Sequence, residues 1–453
     1  MQLTLSEIAE MSGGQLLSGD GSARITDFIT DSRQARPGVM FVPIRGENVD
    51  GHAYISSALA AGAAASFTDH PLEAGGPLVL VEDCRAALQR VGEAYRERFQ
   101  IPIIGITGSV GKTTAKEMIA QALTASRNVY KTRGNANSQV GVPITMCHME
   151  PEHTAAVIEM GVSMPGEMAR IAKVVKPTCG VITTIGTSHL EFMGTRENIL
   201  AEKAHMADYL PQGAPLIVCG DNDLLPSLHS DVCRVVTFGL SEQCQWRAEG
   251  IAGDGDSLTF TCLAPDGRRQ AVTLPVLGEH NIRNALAALA VADYLGQSLS
   301  DTARALAAYT PPAMRQQIKE AGGVTVIDDS YNASPDSMRA ALGLLADRPG
   351  LGRKIAVLAG MRELGNYERA GHMETGAYAK EKGVELVAVG ELGRLMAQGY
   401  GSGALEAEDN AQASAWLLRT LKPGDSVLVK GSRGMKTEEI VSALLAGLAE
   451  RGT

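Results

Sequence analysis

Residues 105 to 114 read Gly-Ile-Thr-Gly-Ser-Val-Gly-Lys-Thr-Thr, set between an apolar Ile-Pro-Ile-Ile run and a helical pattern, Ala-Lys-Glu-Met-Ile-Ala-Gln-Ala-Leu. Glycines let a backbone curl until successive N–H groups face one anion, and the following helix adds the positive end of its dipole. In that setting Thr107, Gly108, Ser109, Val110, Gly111 and Thr114 cradle phosphate, Lys112 places a cation on it, and the Thr113 hydroxyl can ligate Mg²⁺. The string departs from the general G-x-x-x-x-G-K-[ST] loop, because position 106 is Ile and the glycines fall at 105, 108 and 111. Strand, Gly-Lys-Thr and helix nevertheless occur together, which is the context the chemistry requires. A phosphate-bearing ligand is expected.

Other chemistry-bearing residues follow this loop. Glu159 closes the strand Thr-Ala-Ala-Val-Ile-Glu, and the carboxyl ends of parallel strands are where α/β sheets bind ligands. Its carboxylate is either a solvated strand end or the completion of a Mg²⁺ shell with Thr113. His189 comes just after Val-Ile-Thr-Thr-Ile-Gly, again at a strand's carboxyl end, as a structural loop histidine or as ligand to a second divalent ion that clamps a transferring phosphoryl group. Lys203, in Arg-Glu-Asn-Ile-Leu-Ala-Glu-Lys-Ala-His-Met, reads as a surface lysine on composition alone.

The elements that must position these groups divide the chain in three. Residues 1 to 84 mix short strands (Phe-Ile-Thr-Asp-Ser-Arg, Val-Met-Phe-Val-Pro-Ile) with an alanine-rich helix near 53 to 64. From 85 to 312, apolar β-branched runs at 101–106, 155–159, 181–185 and 216–219 alternate with helical stretches, the pattern of a mostly parallel sheet covered on both faces. The Thr-Pro-Pro run at 310 to 312 predicts a linker. Beyond it, from 313 to 453, four further buried-strand candidates separated by helices predict a second nucleotide-fold-like α/β domain. A length of 453 residues accommodates three such units.

A net charge of −10 argues against nucleic acid as a main partner. The seven cysteines form no C-x-x-C pair, which fits reduced thiols. Neither a signal-peptide pattern nor an apolar run of about 18 residues is present, so a cytoplasmic protein without an integral membrane segment is expected.

Once the other strings are set beside the loop, a family resemblance emerges. The form G-x-T-G-x-x-G-K-T-[TS] resembles the ATP loop of the Mur ligases and of folylpolyglutamate synthase. Gly134-Asn135-Ala136-Asn137-Ser138, Glu159-Met160-Gly161 with Pro165-Gly166-Glu167, Gly278-Glu279-His280-Asn281-Ile282-Arg283-Asn284, Asp328-Asp329-Ser330-Tyr331-Asn332-Ala333-Ser334-Pro335-Asp336 and Lys430-Gly431-Ser432-Arg433-Gly434-Met435 are similar to Mur ligase strings over nearly the whole chain. At the N-terminus, Asp31-Ser32-Arg33, Arg45-Gly46 and Asp50-Gly51-His52 look like the UDP-binding module of the branches that add the third residue or the dipeptide. Folylpolyglutamate synthases lack that module.

The resemblance implies a three-domain α/β protein: a UDP-substrate module (1–84), a central P-loop ATPase domain (85–312) and a Rossmann-like domain that binds the incoming amine and closes on ATP (313–453). It implies an ATP-dependent amide ligase of peptidoglycan synthesis, and so of cell-wall biogenesis, cell shape and division. The strings at 328–336 and 430–435 resemble the branch that joins D-alanyl-D-alanine to UDP-N-acetylmuramoyl-tripeptide through an acyl phosphate. The Asp-Asn-Pro-Arg string of the diaminopimelate-adding branch is missing.

By the same resemblance Asn281 and Asn284 meet the adenine, Arg315 and Asp329 act at ATP, and Asn137 faces the muramoyl part. Ser32, Arg33, Gly46, Asp50 and His52 hold the UDP end, and Asn332, Ser334, Lys430, Ser432 and Arg433 serve the dipeptide side. Lys112, Glu159, His189 and Lys203 are the catalytic group, with Mg²⁺ on Thr113, Glu159, His189 and Lys203. Lys203 takes the place of a lysine that carries a carbamate from CO₂, although Ala204-His205 stands where the family often has Ala-Glu. A monomer is expected. Two alternatives stay open: a family member adding a single amino acid, and a P-loop switch ATPase. The tripeptide's third residue, lysine or diaminopimelate, is also open.

Overall fold

The computed structural model describes residues 1–46, 49–253, 255 and 257–450. Three sheets of five, nine and six strands organise the chain, with a small antiparallel pairing of Leu3–Thr4 and Arg24–Ile25 beside them. The first sheet runs Asp27–Ile29, Val39–Phe41, Ala65–Thr68 and Leu78–Leu80 in parallel, with Gln15–Ser18 antiparallel at its edge. The alanine-rich helix is shorter than its composition suggests, a 3₁₀ turn Gly51–Tyr54 followed by Ile55–Ala60.

In the central sheet the strand Ile103–Thr107 lies between Ala155–Glu159 and Cys179–Ile182, all parallel. Val129–Lys131 flanks one side, and Pro215–Cys219, Arg234–Gly239 and the start of Trp246–Gly253 extend the other, still in parallel. The strands Leu258–Leu263 and Arg269–Leu274 then add antiparallel pairs. Their burial alternates, one face being wet, so they carry none of the continuous apolar runs that mark the parallel strands.

Helix Cys84–Arg96 joins the first sheet to the central one. Asp83 caps it by accepting from the Ala86 N–H at 2.7 Å. A Cβ on Gly92 would meet the Pro143 Cα at 2.8 Å, so glycine is what lets this helix approach Gly141–Cys147. Buried Arg96 donates to the carbonyls of Phe99 (2.6 Å) and Val175 (2.9 Å). One continuous apolar core consequently runs from Leu3 to Tyr309.

The last sheet has its own packing. Val324–Asp329, Ser426–Lys430, Lys354–Ala359 and Glu385–Val389 are neighbours in parallel, and these are the four strands expected there. Gln317–Ala321 pairs antiparallel at one edge, and Leu405–Ala407 pairs parallel at the other. Separate apolar clusters cover the two faces. The first two sheets therefore share one apolar core, with the last attached through 310–316. There Met314 (φ 60°) and Gln316 (φ 53°) adopt left-handed backbone on either side of Arg315, each costing about 1 kcal/mol. All seven cysteines are buried and free. Among the described residues no helix is long and apolar enough to cross a membrane.

Candidate active site

The glycine-rich loop links the strand Ile103–Thr107 to the helix Lys112–Leu123. Gly108 (φ 144°) and Gly111 (φ 86°) take the backbone where L side chains are strained, and a Cβ on Gly108 would lie 2.0 Å from the Thr183 hydroxyl. The residues after Cys179–Ile182 brace the loop: Ser109 N–H donates to the Thr184 carbonyl (2.8 Å) and the Thr183 hydroxyl donates to the Val110 carbonyl (2.6 Å). Lys112 Nζ rests on the loop's own carbonyls, Gly108 at 2.7 Å and Ser109 at 3.3 Å. Burial holds this amine below the ordinary lysine range, while Glu159 works to raise it.

Glu159 is 2% exposed, which removes the solvated strand-end reading. Its Oε1 accepts from Thr113 Oγ1 (3.2 Å) and from Asn137 Nδ2 (2.7 Å). Its Oε2 is buried without a hydrogen bond, 3.7 Å from Lys116 Nζ. Lys116, 1% exposed, is a site residue that sequence reasoning missed; it donates to the Thr132 carbonyl at 2.9 Å and pairs with Glu117 at 3.1 Å. A signal was present, since positions 112, 116, 119 and 123 form one stripe of the helix and Ile119 and Leu123 are core.

The Glu159 carboxylate, with Oε1 on the Thr113 hydroxyl and Oε2 left without a hydrogen bond, makes with that hydroxyl an oxygen donor set that fits Mg²⁺. Among the described residues no three His, Cys, Asp or Glu side chains gather to hold a metal by themselves, so such an ion would draw further ligands from water and nucleotide. His189 takes left-handed backbone at φ 62° and lines the same cavity as Glu159. Its Nδ1 stands 2.5 Å from Glu363 Oε2 of the last domain. That contact holds the Glu363 carboxyl below its usual range.

Lys203 is 1% exposed, contrary to its composition-based reading as a surface lysine. Burial first, then the charge of Lys112, keeps its amine well below the lysine range. The neighbouring Glu202 fixes this helix by accepting from the N–H groups of Gly166 and Met168, each at 2.7 Å, at the start of the helix Glu167–Val175. Lys203 is not among the residues lining the cavity.

The cavity, about 760 Å³, lies between the central and last sheets. Ser109, Val110, Gly111, Lys112, Thr113 and Thr114 form one wall, and Thr107, buried at the strand end, stands behind them. Asn284 Oδ1 would be 3.5 Å from a Cβ on Gly111, so the helix Glu279–Tyr294 reaches the phosphate loop. Asn281 donates to the Leu277 carbonyl (2.7 Å) and His280 Nε2 meets Gln316 Oε1 (2.8 Å). From the last domain, Arg315 Nη2 reaches Thr113 Oγ1 at 3.2 Å, with its guanidinium 4.2 Å from the centre of the Tyr331 ring.

Lys430 Nζ donates to Asp329 (2.6 Å) and to the Asn332 carbonyl (2.9 Å). Ser334 caps the helix Pro335–Asp347 and, with Asn332, lines the cavity. Ser432 lies outside that lining, where its hydroxyl accepts from the Arg362 N–H (3.0 Å). Arg433 is exposed and pairs with Glu438 (2.9 Å).

Ser32, Arg33, Gly46, Asp50 and His52 stand apart from this cavity. They follow the carboxyl ends of two neighbouring parallel strands, Asp27–Ile29 and Val39–Phe41, and so share one sheet edge. Arg33 pairs with Asp31 (2.7 Å) and His52 Nδ1 with Asp50 (2.6 Å). The N–H and ring of His52 hold the Asp50 carboxyl down at about 2. Arg45 Nη2 meets Asp69 at 2.6 Å, and Gly46 N–H donates to the Val49 carbonyl.

Comparison with known proteins agrees with this architecture. Residues 24–101 match the Mur ligase family catalytic domain, 106–292 the Mur ligase middle domain, and 314–433 the Mur ligase glutamate ligase domain. The chain is 36% identical to the UDP-N-acetylmuramoyl-tripeptide–D-alanyl-D-alanine ligase of Bacillus subtilis (strain 168), over 98% of both chains. A crystal structure of MurF from Acinetobacter baumannii superposes with a TM-score of 0.91 at 31% identity, covering 98% of this chain and 99% of that one. MurF ligase from Thermotoga maritima, in complex with ADP, gives a TM-score of 0.85 at 28% identity over 94% and 98%. On these matches and on the three-sheet architecture, the chain belongs to the Mur ligase family.

Proposed function

We propose that this chain joins D-alanyl-D-alanine to UDP-N-acetylmuramoyl-tripeptide, using ATP, in peptidoglycan precursor synthesis in the cytoplasm. The observation that carries the reading is the junction at Thr113. A hydroxyl of the phosphate loop, the buried carboxylate of Glu159 and a guanidinium from the last domain meet there, at one wall of a cavity of about 760 Å³. ATP phosphates belong in such a place. The string at 328–336 and the full-length likeness to dipeptide-adding relatives favour a dipeptide over a single amino acid.

A free carboxylate is a poor electrophile, since its charge repels an amine and oxide cannot leave. The γ-phosphoryl of ATP passes to the tripeptide's terminal carboxylate, giving an acyl phosphate and ADP; the dipeptide amine then attacks that carbonyl carbon, phosphate leaves, and the amine's proton is lost to solvent. Lys112 and Arg315 set positive charge on either side of the transferring oxygens. Thr113 and Glu159 would hold a Mg²⁺, which when bound would supply further neutralising charge there. Asn137 orients the Glu159 carboxylate, and Lys116 balances its buried charge from behind. Asn281 and Asn284 position the adenine end, and Asp329 with Lys430 forms the facing wall. Ser32, Arg33, Gly46, Asp50 and His52 hold the UDP end on the first sheet, while Asn332, Ser334, Ser432 and Arg433 serve the dipeptide. Residues 310–316 form the hinge on which the last domain closes and excludes water.

Lys203 is assigned as a carbamate-forming lysine. CO₂ reacts with a neutral amine, forming the C–N bond and releasing a proton, and burial beside Lys112 favours the neutral form. The resulting carboxylate would supply oxygen of the kind a hard cation takes.

The test is phosphate release with each substrate varied. Release requiring ATP, the UDP-tripeptide and D-alanyl-D-alanine together supports the ligase. Release from ATP alone would support a switch ATPase, and efficient incorporation of a single amino acid would support a different family branch.

A further inference from the structure

Residues 185–189 lie between the phosphate loop and the last domain, held from several sides. The Ile185 carbonyl accepts from Arg196 Nη2 (2.8 Å) and Asn222 Nδ2 (3.0 Å). The Gly186 N–H donates to Ser109 Oγ of the phosphate loop at 2.9 Å. From the opposite side Asp336, in the first turn of the helix Pro335–Asp347, accepts from the Thr187 N–H at 3.1 Å, with the Thr187 hydroxyl at 3.5 Å. Gly186 is buried, and a Cβ there would stand 2.1 Å from Asp336 Oδ2 and 3.6 Å from Ser109 Cβ. Arg196 feels the charge of Asp336 as well.

Successive N–H groups of one short segment thus point in opposite directions, one to the phosphate loop and one to the last domain. Asp336 is exposed and contributes to none of the apolar cores. Its carboxylate does sit where a helix dipole favours negative charge, and it touches the central domain only where glycine leaves room. A second contact runs in parallel, with the Glu191 N–H donating to the Glu363 carbonyl at 3.3 Å beside the His189–Glu363 pair.

We propose that Gly186 and Asp336 form a closure latch through which docking of the last domain sets the position of Ser109 in the phosphate loop. Asp336 is then a positioning residue for ligation. The inference rests on the ligase reading for its kinetic readout, but not for its conformational one.

The experiment compares Asp336→Ala, Asp336→Asn, Gly186→Ala and the double Gly186→Ala/Asp336→Ala in the full chain. It measures kcat and KM for each substrate, and domain closure by small-angle X-ray scattering with a non-hydrolysable ATP analogue. Because the contact is a charge-assisted hydrogen bond near the surface, its loss should lower kcat by about tenfold. KM for ATP should change little, and the closed form should be less populated. Asp336→Asn keeps an acceptor for Thr187 and should stay within about threefold of wild type. The double variant should be no worse than the weaker single, since both changes break one contact. Multiplying effects, an Asn variant as poor as Ala, or wild-type kcat and closure in Asp336→Ala would each overturn the latch. If Gly186→Ala melts early, the Asp336 pair still decides. If wild type closes on nucleotide but does not ligate, the ligase reading fails, and scattering of the variants alone judges the latch.

Discussion

Substituting Asp329 by Ala should unfold the last domain far more readily than loss of a surface carboxylate would. Asp329 and Lys430 are register partners on adjacent parallel strands, 2.6 Å apart through Oδ2 and Nζ, with relative exposures of 7% and 2%. Burial already pulls the Lys430 amine below the lysine range, and Asp329 is the group that raises it again. Without Asp329 the ammonium keeps only the Asn332 carbonyl, at 2.9 Å. Removing one partner of a buried pair costs about 3–5 kcal/mol. The low end applies here, because an amine already shifted downward can shed its proton.

About 3 kcal/mol in a domain of this size lowers its melting temperature by roughly 10 °C. The chain's two tryptophans make the measurement local, since Trp246 lies in the central sheet and Trp416 in the last domain. In a Trp246→Phe background, urea unfolding followed by Trp416 fluorescence reports the last domain. Asp329→Ala should move that transition to lower urea, and adding Lys430→Met should recover most of the loss. A shift below about 0.5 kcal/mol, the size of a surface change, or a double variant less stable than Asp329→Ala would refute the reasoning.

Lys112→Ala should lower turnover by about 10³-fold with the fold intact, which circular dichroism and steady-state kinetics check together. Lys203→Ala should lose most activity and regain part of it in formate or acetate, while Lys112→Ala gains nothing from either acid; wild-type turnover in Lys203→Ala would end the carbamate assignment. Burial lowers the pKa of His280 from its ordinary 6.5. The unfolded chain therefore binds this proton before the folded one, and stability falls as pH drops through 6.5 and below. Melting curves from pH 8 to 5 should show that decline, with a smaller slope in His280→Gln.

What the sequence made legible was local or strictly periodic. The phosphate loop is a strand, a turn and a helix in one contiguous segment, and Glu159 ends a strand whose five residues are all buried. The strands of the last domain announced themselves as apolar runs for the same reason. The antiparallel strands 258–274 stayed unread because one of their faces is wet. The composition-based reading of Lys203 failed because no local pattern records that its helix is pinned by Glu202 against a different helix. The pairing of His189 with Glu363 and of Thr187 with Asp336 joins residues about 150 or more positions apart, contacts that only the docked last domain creates. Lys116 was within reach, as a charge on the apolar stripe of its helix.

The measurement that tests the central claim most directly is oxygen transfer. UDP-N-acetylmuramoyl-tripeptide carrying oxygen-18 in its terminal carboxylate is incubated with ATP, D-alanyl-D-alanine and the enzyme, and the released phosphate is analysed by mass spectrometry. Transfer of the γ-phosphoryl to that carboxylate, followed by attack of the dipeptide amine, predicts a single labelled oxygen in each phosphate and a product heavier by the dipeptide. Unlabelled phosphate, formed at a rate indifferent to the tripeptide, would contradict the acyl-phosphate ligase and leave an ATPase in its place.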